Sequence, residues 1–223
     1  MKGEVEYQDK VKLRAADMQQ LVTKKLPKMI VMNARLEDVK TSEQAVKEVL
    51  KMSISSSLHE QDYDVVAQLR LAWKMILDAK DKLNLALEQR VNTIVDLDNA
   101  FPGMIRNGSG SVMTDRGEFI PPEINEKQEA VYLNDLLASS KTVTDKALTL
   151  MYHNMREQIF YDGNKRTAFL IANKLMIDHG AGLICIPLAK FKTWMNKLTS
   201  FYFSNDMTEI KNWTYQNGII KGA

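Results

Sequence analysis

The densest run of chemically capable side chains in this 223-residue chain is Gln158-Ile159-Phe160-Tyr161-Asp162-Gly163-Asn164-Lys165-Arg166-Thr167. Asp162 offers a hard oxygen ligand of the kind Mg²⁺ prefers. Gly163 lets the backbone turn tightly and approach a ligand closely. Asn164, Lys165 and Arg166 supply amide, ammonium and guanidinium donors that suit phosphate oxygens. The residues that follow, Ala168, Leu170, Ile171, Ala172, Leu175, Met176 and Ile177, recur at helical spacing. The run therefore reads as a phosphate-binding turn that opens a helix, whose N-terminal amides attract anions.

The rest of the chain reads as mainly α. A first helix is expected over 8–27, ending near Pro27. A second begins at Thr41, where Thr41 and Gln44 have capping-box spacing, and runs through Val49 and Met52 into 53–60. Asp62 is expected to cap a third, with Val65, Val66, Leu69, Ala72, Trp73 and Ile76 inward. A fourth spans about 82–97, and the Pro/Gly/Ser-rich stretch 102–111 then breaks the pattern. Residues 112–120 read as two short extended arms around Asp115-Arg116-Gly117, a hairpin stopped by Pro121-Pro122. Helices are expected at about 123–139, 142–157, 164–180, 187–199 and 206–216.

Composition narrows the function classes. Lys and Arg total 30 against 28 Asp and Glu, a formal charge of +2. A dedicated nucleic-acid binder usually shows a clear basic excess, so none is expected as a partner. The single Cys185 forms no internal disulfide, and three scattered His do not suggest a Cys/His zinc site. No apolar run approaches membrane-spanning length and no secretory leader is visible, so a cytoplasmic protein with no membrane partner is expected.

The stretch 158–166 closely resembles the signature of the Fic/Doc (Fido) family, His-Pro-Phe-x-Asp/Glu-Gly-Asn-Gly/Lys-Arg, usually followed by a second Arg three positions on. Phe160, Asp162, Gly163, Asn164, Lys165 and Arg166 match in register. Ile159 replaces the Pro, Gln158 stands in the place of the catalytic His, and Phe169 in that of the second Arg. The resemblance extends over roughly residues 65–186 and implies a Fic-type helical domain with a short β-hairpin flap. It divides the chain into N-terminal helices over 1–61 and a Fic domain with C-terminal helices over 62–223. The flap, here Val112, Met113, Thr114, Phe119 and Ile120, would dock a target peptide by strand addition; by itself the same segment reads as a surface hairpin.

What the family does implies what these residues would do. The His removes a proton from a Ser, Thr or Tyr hydroxyl of a target protein, which attacks the α-phosphate of ATP, and AMP is transferred. Asp162 would hold Mg²⁺; Gly163, Asn164 and Lys165 would cradle phosphate; Arg166 would hold the outer phosphates. A carboxamide at 158 does not titrate near neutral pH. General-base help is worth about 10²–10⁴-fold, so transfer is expected to be weak or lost. His153, five residues upstream on the preceding helix, reads as a packing residue rather than a replacement base. The Asn164-Lys165-Arg166-Thr167 sequence is also that of Doc-type toxins, which transfer the γ-phosphate, so a Doc-like phosphotransferase stands beside the AMP transferase. A non-catalytic nucleotide- or protein-binding module is the third reading, favoured by Gln158 and Phe169. Monomer and homodimer are both compatible with the sequence.

Many Fic proteins are inhibited by a helix bearing Ser/Thr-x-x-x-Glu-Gly/Asn. Ser56 and Glu60 match its Ser and Glu, while Gln61 departs from the last position. The Glu normally pairs with the second Arg, which is Phe169 here. Ser56 and Glu60 thus read equally as an inhibitory relic and as an ordinary helix end with a solvated Glu.

Overall fold

The computed structural model describes residues 6–53 and 58–222. In order, the described elements are α1 (Ala15–Ala34), a 3₁₀ turn (Arg35–Glu37), α2 (Glu43–Leu50), α3 (Glu60–Asp78), α4 (Leu85–Val95), β1 (Val112–Thr114), β2 (Gly117–Phe119), α5 (Glu126–Ala138), α6 (Val143–Glu157), α7 (Asn164–Asp178), β3 (Leu183–Ile184), a second 3₁₀ turn (Leu188–Lys190), α8 (Phe191–Ser204), α9 (Thr208–Asn217) and β4 (Ile219–Ile220). The mainly α architecture with one short hairpin is as expected.

Helix α7 is the central element. It packs most extensively on α6 and also meets α4, α3 and α1. From Ala168 to Ala172 it has no exposed surface. A helix apolar all round is one enclosed by others, which is why its sequence carries so little polar face after Arg166. Phe169 lies in this core, edge-on to Trp73 with ring centroids 6.4 Å apart.

Three N-terminal expectations are corrected. Helix α1 begins at Ala15 and runs through Pro27 to Ala34. An interior proline costs about 3 kcal/mol, but the turn beyond it buries Met29, Ile30 and Met32 almost completely. Each such side chain contributes roughly 1.5–3 kcal/mol, so burial outweighs the lost hydrogen bond. Residues 8–14 form an arm strapped to the body instead, with Thr144 N–H donating to Asp9 Oδ1 at 2.7 Å and Leu13 N–H to Gly180 O at 2.8 Å. In α2 the cap is Ser42, whose Oγ accepts from Ala45 N–H at 3.1 Å, and not Thr41. That helix stops at Leu50 rather than continuing into 53–60. Helix α3 starts at Glu60 after His59, placing Asp62 inside the first turn, where it complements the helix dipole without capping.

The hairpin pairs Val112 with Phe119, Met113 with Glu118 and Thr114 with Gly117, leaving Asp115-Arg116 as a two-residue turn. Thr114 Oγ1 closes that turn by donating to Gly117 O at 2.7 Å and accepting from Arg116 N–H at 3.1 Å. Phe119 anchors the hairpin on α8: it stacks on Tyr202 with centroids 5.0 Å apart and meets Phe203 edge-on. The Arg156 guanidinium covers the Phe119 ring at 5.4 Å.

Candidate functional site

Helix α6 ends because Gln158 adopts the left-handed conformation (φ 52°, ψ 58°). Helix α7 begins because Gly163 does the same (φ 70°). A Cβ at Gly163 would come within 3.0 Å of both Asn92 Nδ2 and Val95 Cγ1, so glycine is required there for space as well as for φ. The loop between them is held from three sides.

The first side is internal. Asn164 Oδ1 accepts from Phe160 N–H at 2.8 Å, while Nδ2 donates to Phe160 O at 2.8 Å and to Gln158 Oε1 at 3.1 Å. Gln158 Nε2 donates to Met155 O at 2.6 Å. Both polar atoms of the Gln158 carboxamide are therefore engaged in closing the loop. Asn164, buried at 5% exposure, braces the loop with its side chain, whereas the sequence had suggested a phosphate donor. The Tyr202 hydroxyl sits beside Gln158, in a geometry short of a full hydrogen bond. Burial pushes its pKa up, and the Gln158 contact opposes this only in part.

The second side is Arg106. Its guanidinium donates to four carbonyls: Gln158 O (2.9 Å), Gly108 O (2.5 Å), Pro122 O (2.7 Å) and Glu157 O (3.1 Å). Arg106 N–H also donates to Ile159 O at 2.8 Å, and Ile105 bridges Phe160 in antiparallel fashion. One buried side chain thus ties both roots of the hairpin to the motif loop. Burial lowers its pKa, with Glu157 acting in the opposite sense.

The third side is α4. Asn92 Nδ2 donates to Asp162 O at 2.9 Å and to Thr167 Oγ1 at 3.1 Å, and Asn92 Oδ1 accepts from Gly103 N–H at 2.9 Å.

The charged members of the motif fan out from this scaffold. Asp162 is exposed; its Oδ1 accepts from Gly163 N–H at 2.6 Å and its Oδ2 from Asn99 Nδ2 at 3.4 Å. Arg166 is buried: Nη1 donates to Val95 O at 3.0 Å, and Nε lies 3.1 Å from Glu37 Oε2. That contact is an ion pair rather than an aligned hydrogen bond, since Nε has no well-directed acceptor. Lys165 is partly exposed. The amides of Asn164, Lys165 and Arg166 open α7 and have no intrahelical acceptors.

Two clefts flank the turn. One, of about 300 Å³, lies between the hairpin and α8 and is lined by Val112, Met113, Lys165, Leu198 and Tyr202 among others. The other, of about 360 Å³, lies on the α4 side and holds Glu37, Asp96, Asp98 and Asp162, with Arg166 as the one cation among its described lining residues. Burial, then the neighbouring Asp162 charge, push the Asp96 carboxyl up to about 6; Asn99 and Arg166 oppose this.

The structure thus brings together Gln158, Asp162, Gly163, Asn164, Lys165 and Arg166. On the hairpin, Met113 and Ile120 are exposed at 77% and 61%, Val112 and Thr114 are half-buried, and Phe119 is the buried anchor. Ser56 lies outside the described residues. Glu60 is exposed at the start of α3, and no described hydrogen bond or ion pair joins it to the turn. The acid that does reach the turn is Glu37. His153 is committed to packing, with Nε2 2.7 Å from Glu129 Oε2 and its ring stacked on Tyr132 at 3.7 Å. Sequence reading missed Glu37, Asn92, Asp96, Asn99 and Arg106. Asn92 and Asp96 fell in the helix expected over 82–97 and Arg106 in the 102–111 breaker, and nothing local marks any of them as part of the site.

Among the described residues no helix is long and apolar enough to cross a membrane. No curated protein matches the chain by sequence. Solved structures match its fold. A Fic domain-containing signaling protein from Bacteroides thetaiotaomicron superposes with a TM-score of 0.78 at 19% identity, covering 92% of this chain and 86% of that one. A Glu-to-Gly variant of C. elegans Fic-1 gives 0.75 at 13% identity, covering 93% and 64%. A Fic family protein from Desulfovibrio desulfuricans gives 0.68 at 12% identity, covering 94% and 73%. At such identities these likenesses establish the fold alone. The model of the Fic/DOC family matches residues 81–176, from before α4 to near the end of α7, and takes in the whole motif turn. Residues 81–176, with the motif turn in register, therefore match the Fic/DOC family, and the fold around them is that of Fic-domain structures.

Proposed function

We propose that the chain binds Mg²⁺-ATP at the N-terminal turn of α7, and that it is a relative of the AMP-transferring Fic proteins in which transfer to a protein hydroxyl is weak or lost. The observation that carries this is the disposition of Gln158. Its two polar atoms are engaged with Met155 O and Asn164 Nδ2, and a carboxamide has no proton-accepting site near neutral pH. Tyr202 beside it is no substitute base, because burial raises its pKa and it keeps its proton. His153 is held by Glu129 and Tyr132.

The residues present fit the nucleotide and its metal. Asp162 is exposed and offers a carboxylate at the helix mouth. The first-turn amides of α7 and the Lys165 ammonium suit phosphate oxygens. The hairpin–α8 cleft, with apolar walls from Val112, Leu198 and Tyr202, suits a nucleoside. Bound Mg²⁺ would neutralise phosphate charge and polarise the phosphoryl group. This chain's own residues hold and orient: Asn164 and Arg106 fix the loop, Asn92 fixes the Asp162 backbone, and Arg166 remains paired with Glu37 unless phosphate displaces the carboxylate.

The Doc-like reading rests on Lys165, and the non-catalytic module on Gln158 and Phe169 together. Calorimetric titration with Mg²⁺-ATP tests the part common to all three. Binding at millimolar or lower concentration, weakened by Lys165→Ala, is the expected result. Absence of binding at several millimolar nucleotide would overturn the proposal.

A further inference from the structure

The α4-side cleft carries four carboxylates and one guanidinium, and that guanidinium is already paired with Glu37. Three of the acids are accounted for: Glu37 by Arg166, Asp98 by Gln68 Nε2 at 2.6 Å, and Asp162 by Gly163 N–H. Asp96 is different. It is 6% exposed, and its Oδ2 is buried without a hydrogen-bond partner. Its Oδ1 receives only a weak bond from Asn99 Nδ2 at 3.3 Å. The same amide nitrogen lies 3.4 Å from Asp162 Oδ2. Two carboxylates therefore flank a single shared amide donor, and one buried oxygen has none.

A buried carboxylate oxygen without a donor is costly, and two acids beside each other repel. A hard cation held between the two carboxylates, in place of the amide on Asp96 Oδ1, would offset their repulsion and much of the cost of the under-satisfied Asp96 carboxylate. Among the described residues no group of three or more His, Cys, Asp or Glu is placed to hold a metal ion, so a cation here would rest on the two carboxylates and water and not on a zinc-type ligand set. One or two carboxylates with water, joined by phosphate when a nucleotide is bound, are the ligands that Mg²⁺ and Mn²⁺ take.

We propose that Asp96 is the second carboxylate of a divalent-cation site shared with Asp162, able to take a hard cation before any nucleotide arrives. This rests on the reading of Asp162 as the metal ligand and adds to it a residue from outside the motif. The cation enters an anionic cleft, and its charge makes that cleft receptive to phosphate. Metal binding therefore precedes and favours nucleotide binding.

The test uses Mn²⁺ alone, with no nucleotide, on the full chain, Asp96→Asn, Asp162→Asn and, as a charge control, Asp98→Asn. Binding is read from the free Mn²⁺ signal in electron paramagnetic resonance, after circular dichroism confirms that each variant is folded. The expected result is one Mn²⁺ bound by the unaltered chain, displaced by Mg²⁺, with affinity falling about tenfold or more in both Asp96→Asn and Asp162→Asn, since ligand charge count sets the affinity of such sites. Asp98→Asn should change it by about threefold or less, the scale of a screened surface charge. A second readout keeps the proposal testable should Asp96→Asn fail to fold: Mn²⁺ should broaden the Asn99 side-chain amide resonance of the unaltered chain. No Mn²⁺ binding without nucleotide, or binding lost with Asp162→Asn but untouched by Asp96→Asn, would overturn the inference and leave the nucleotide proposal standing. Mn²⁺ bound as described with no ATP binding would do the reverse.

Discussion

Asn164 donates from Nδ2 to Gln158 Oε1 at 3.1 Å, tying the left-handed residue that ends α6 to the first residue of α7. The same side chain bonds both the N–H and the carbonyl of Phe160. Replacing it with alanine orphans buried backbone groups. Asn164→Ala is expected to cost about 2–4 kcal/mol, a fall in Tm of about 5–10 °C for a chain of this size. Differential scanning calorimetry measures it, and a fall under about 1 °C would mean the brace is unimportant.

Glu37 lies 3.1 Å from Nε of Arg166, the residue proposed to meet the outer phosphates. The Glu37 side chain is 40% exposed, so solvent screens the pair and its worth is modest. Glu37→Ala should tighten Mg²⁺-ATP binding by about two- to fivefold, on the scale of a screened ion pair. Calorimetry on the two proteins compares them directly, and weaker binding by the variant would show that Glu37 supports the site rather than competing with the ligand.

Glu88 supplies a pH signature away from the turn. It is fully buried, accepts from Asn154 Nδ2 at 2.8 Å, and has Oε1 without a partner. Burial raises its pKa to about 8. In the unfolded chain it titrates near 4.5. Between these values the folded state keeps a proton that the unfolded state releases, so this group makes stability fall as pH rises from about 4.5 to about 8. The slope reaches about 1.4 kcal/mol per pH unit. Glu88→Gln should flatten the stability–pH curve across that window in urea titrations. An unchanged curve would mean that Glu88 is ionised in the folded protein.

How much of this was legible in the sequence depended on how local the cause was. The hairpin at 112–120 and helices α4–α9 announce themselves through periodicity and turn residues, because neighbours along the chain decide them. Pro27 misled because its backbone penalty is local while the burial of Met29, Ile30 and Met32 that overrides it is tertiary. The motif residues were found, but their roles were only partly readable. Nothing near Asn164 says that its amide turns back on Phe160. Glu37, Asn92, Asp96 and Arg106 reach the turn from distant elements, so no spacing in one chain could reveal them. Glu60 was a plausible local match, but it stands exposed at the start of α3 with no described ion pair to the turn.

Phe169 illustrates the same point at the position of the missing second Arg. It is fully buried against Trp73. Restoring the family residue alone should therefore harm the protein. Phe169→Arg is expected to destabilise by about 3 kcal/mol or more, through a buried unpaired charge and lost packing. Urea denaturation reads it out, and unaltered stability would show that a guanidinium at 169 can reach the cleft.

The most direct test is transfer of label from α-³²P-ATP to protein by the unaltered chain, by Gln158→His, and by Gln158→His with Asp162→Ala. The imidazole has an ordinary pKa near 6.5, suited to accept a proton at neutral pH. Little or no transfer by the unaltered chain, a rise of about 10²-fold or more with Gln158→His, and its loss with the added Asp162→Ala are the expected results. Robust transfer by the unaltered chain, abolished by Asp162→Ala alone, would contradict the claim that position 158 has lost its catalytic part.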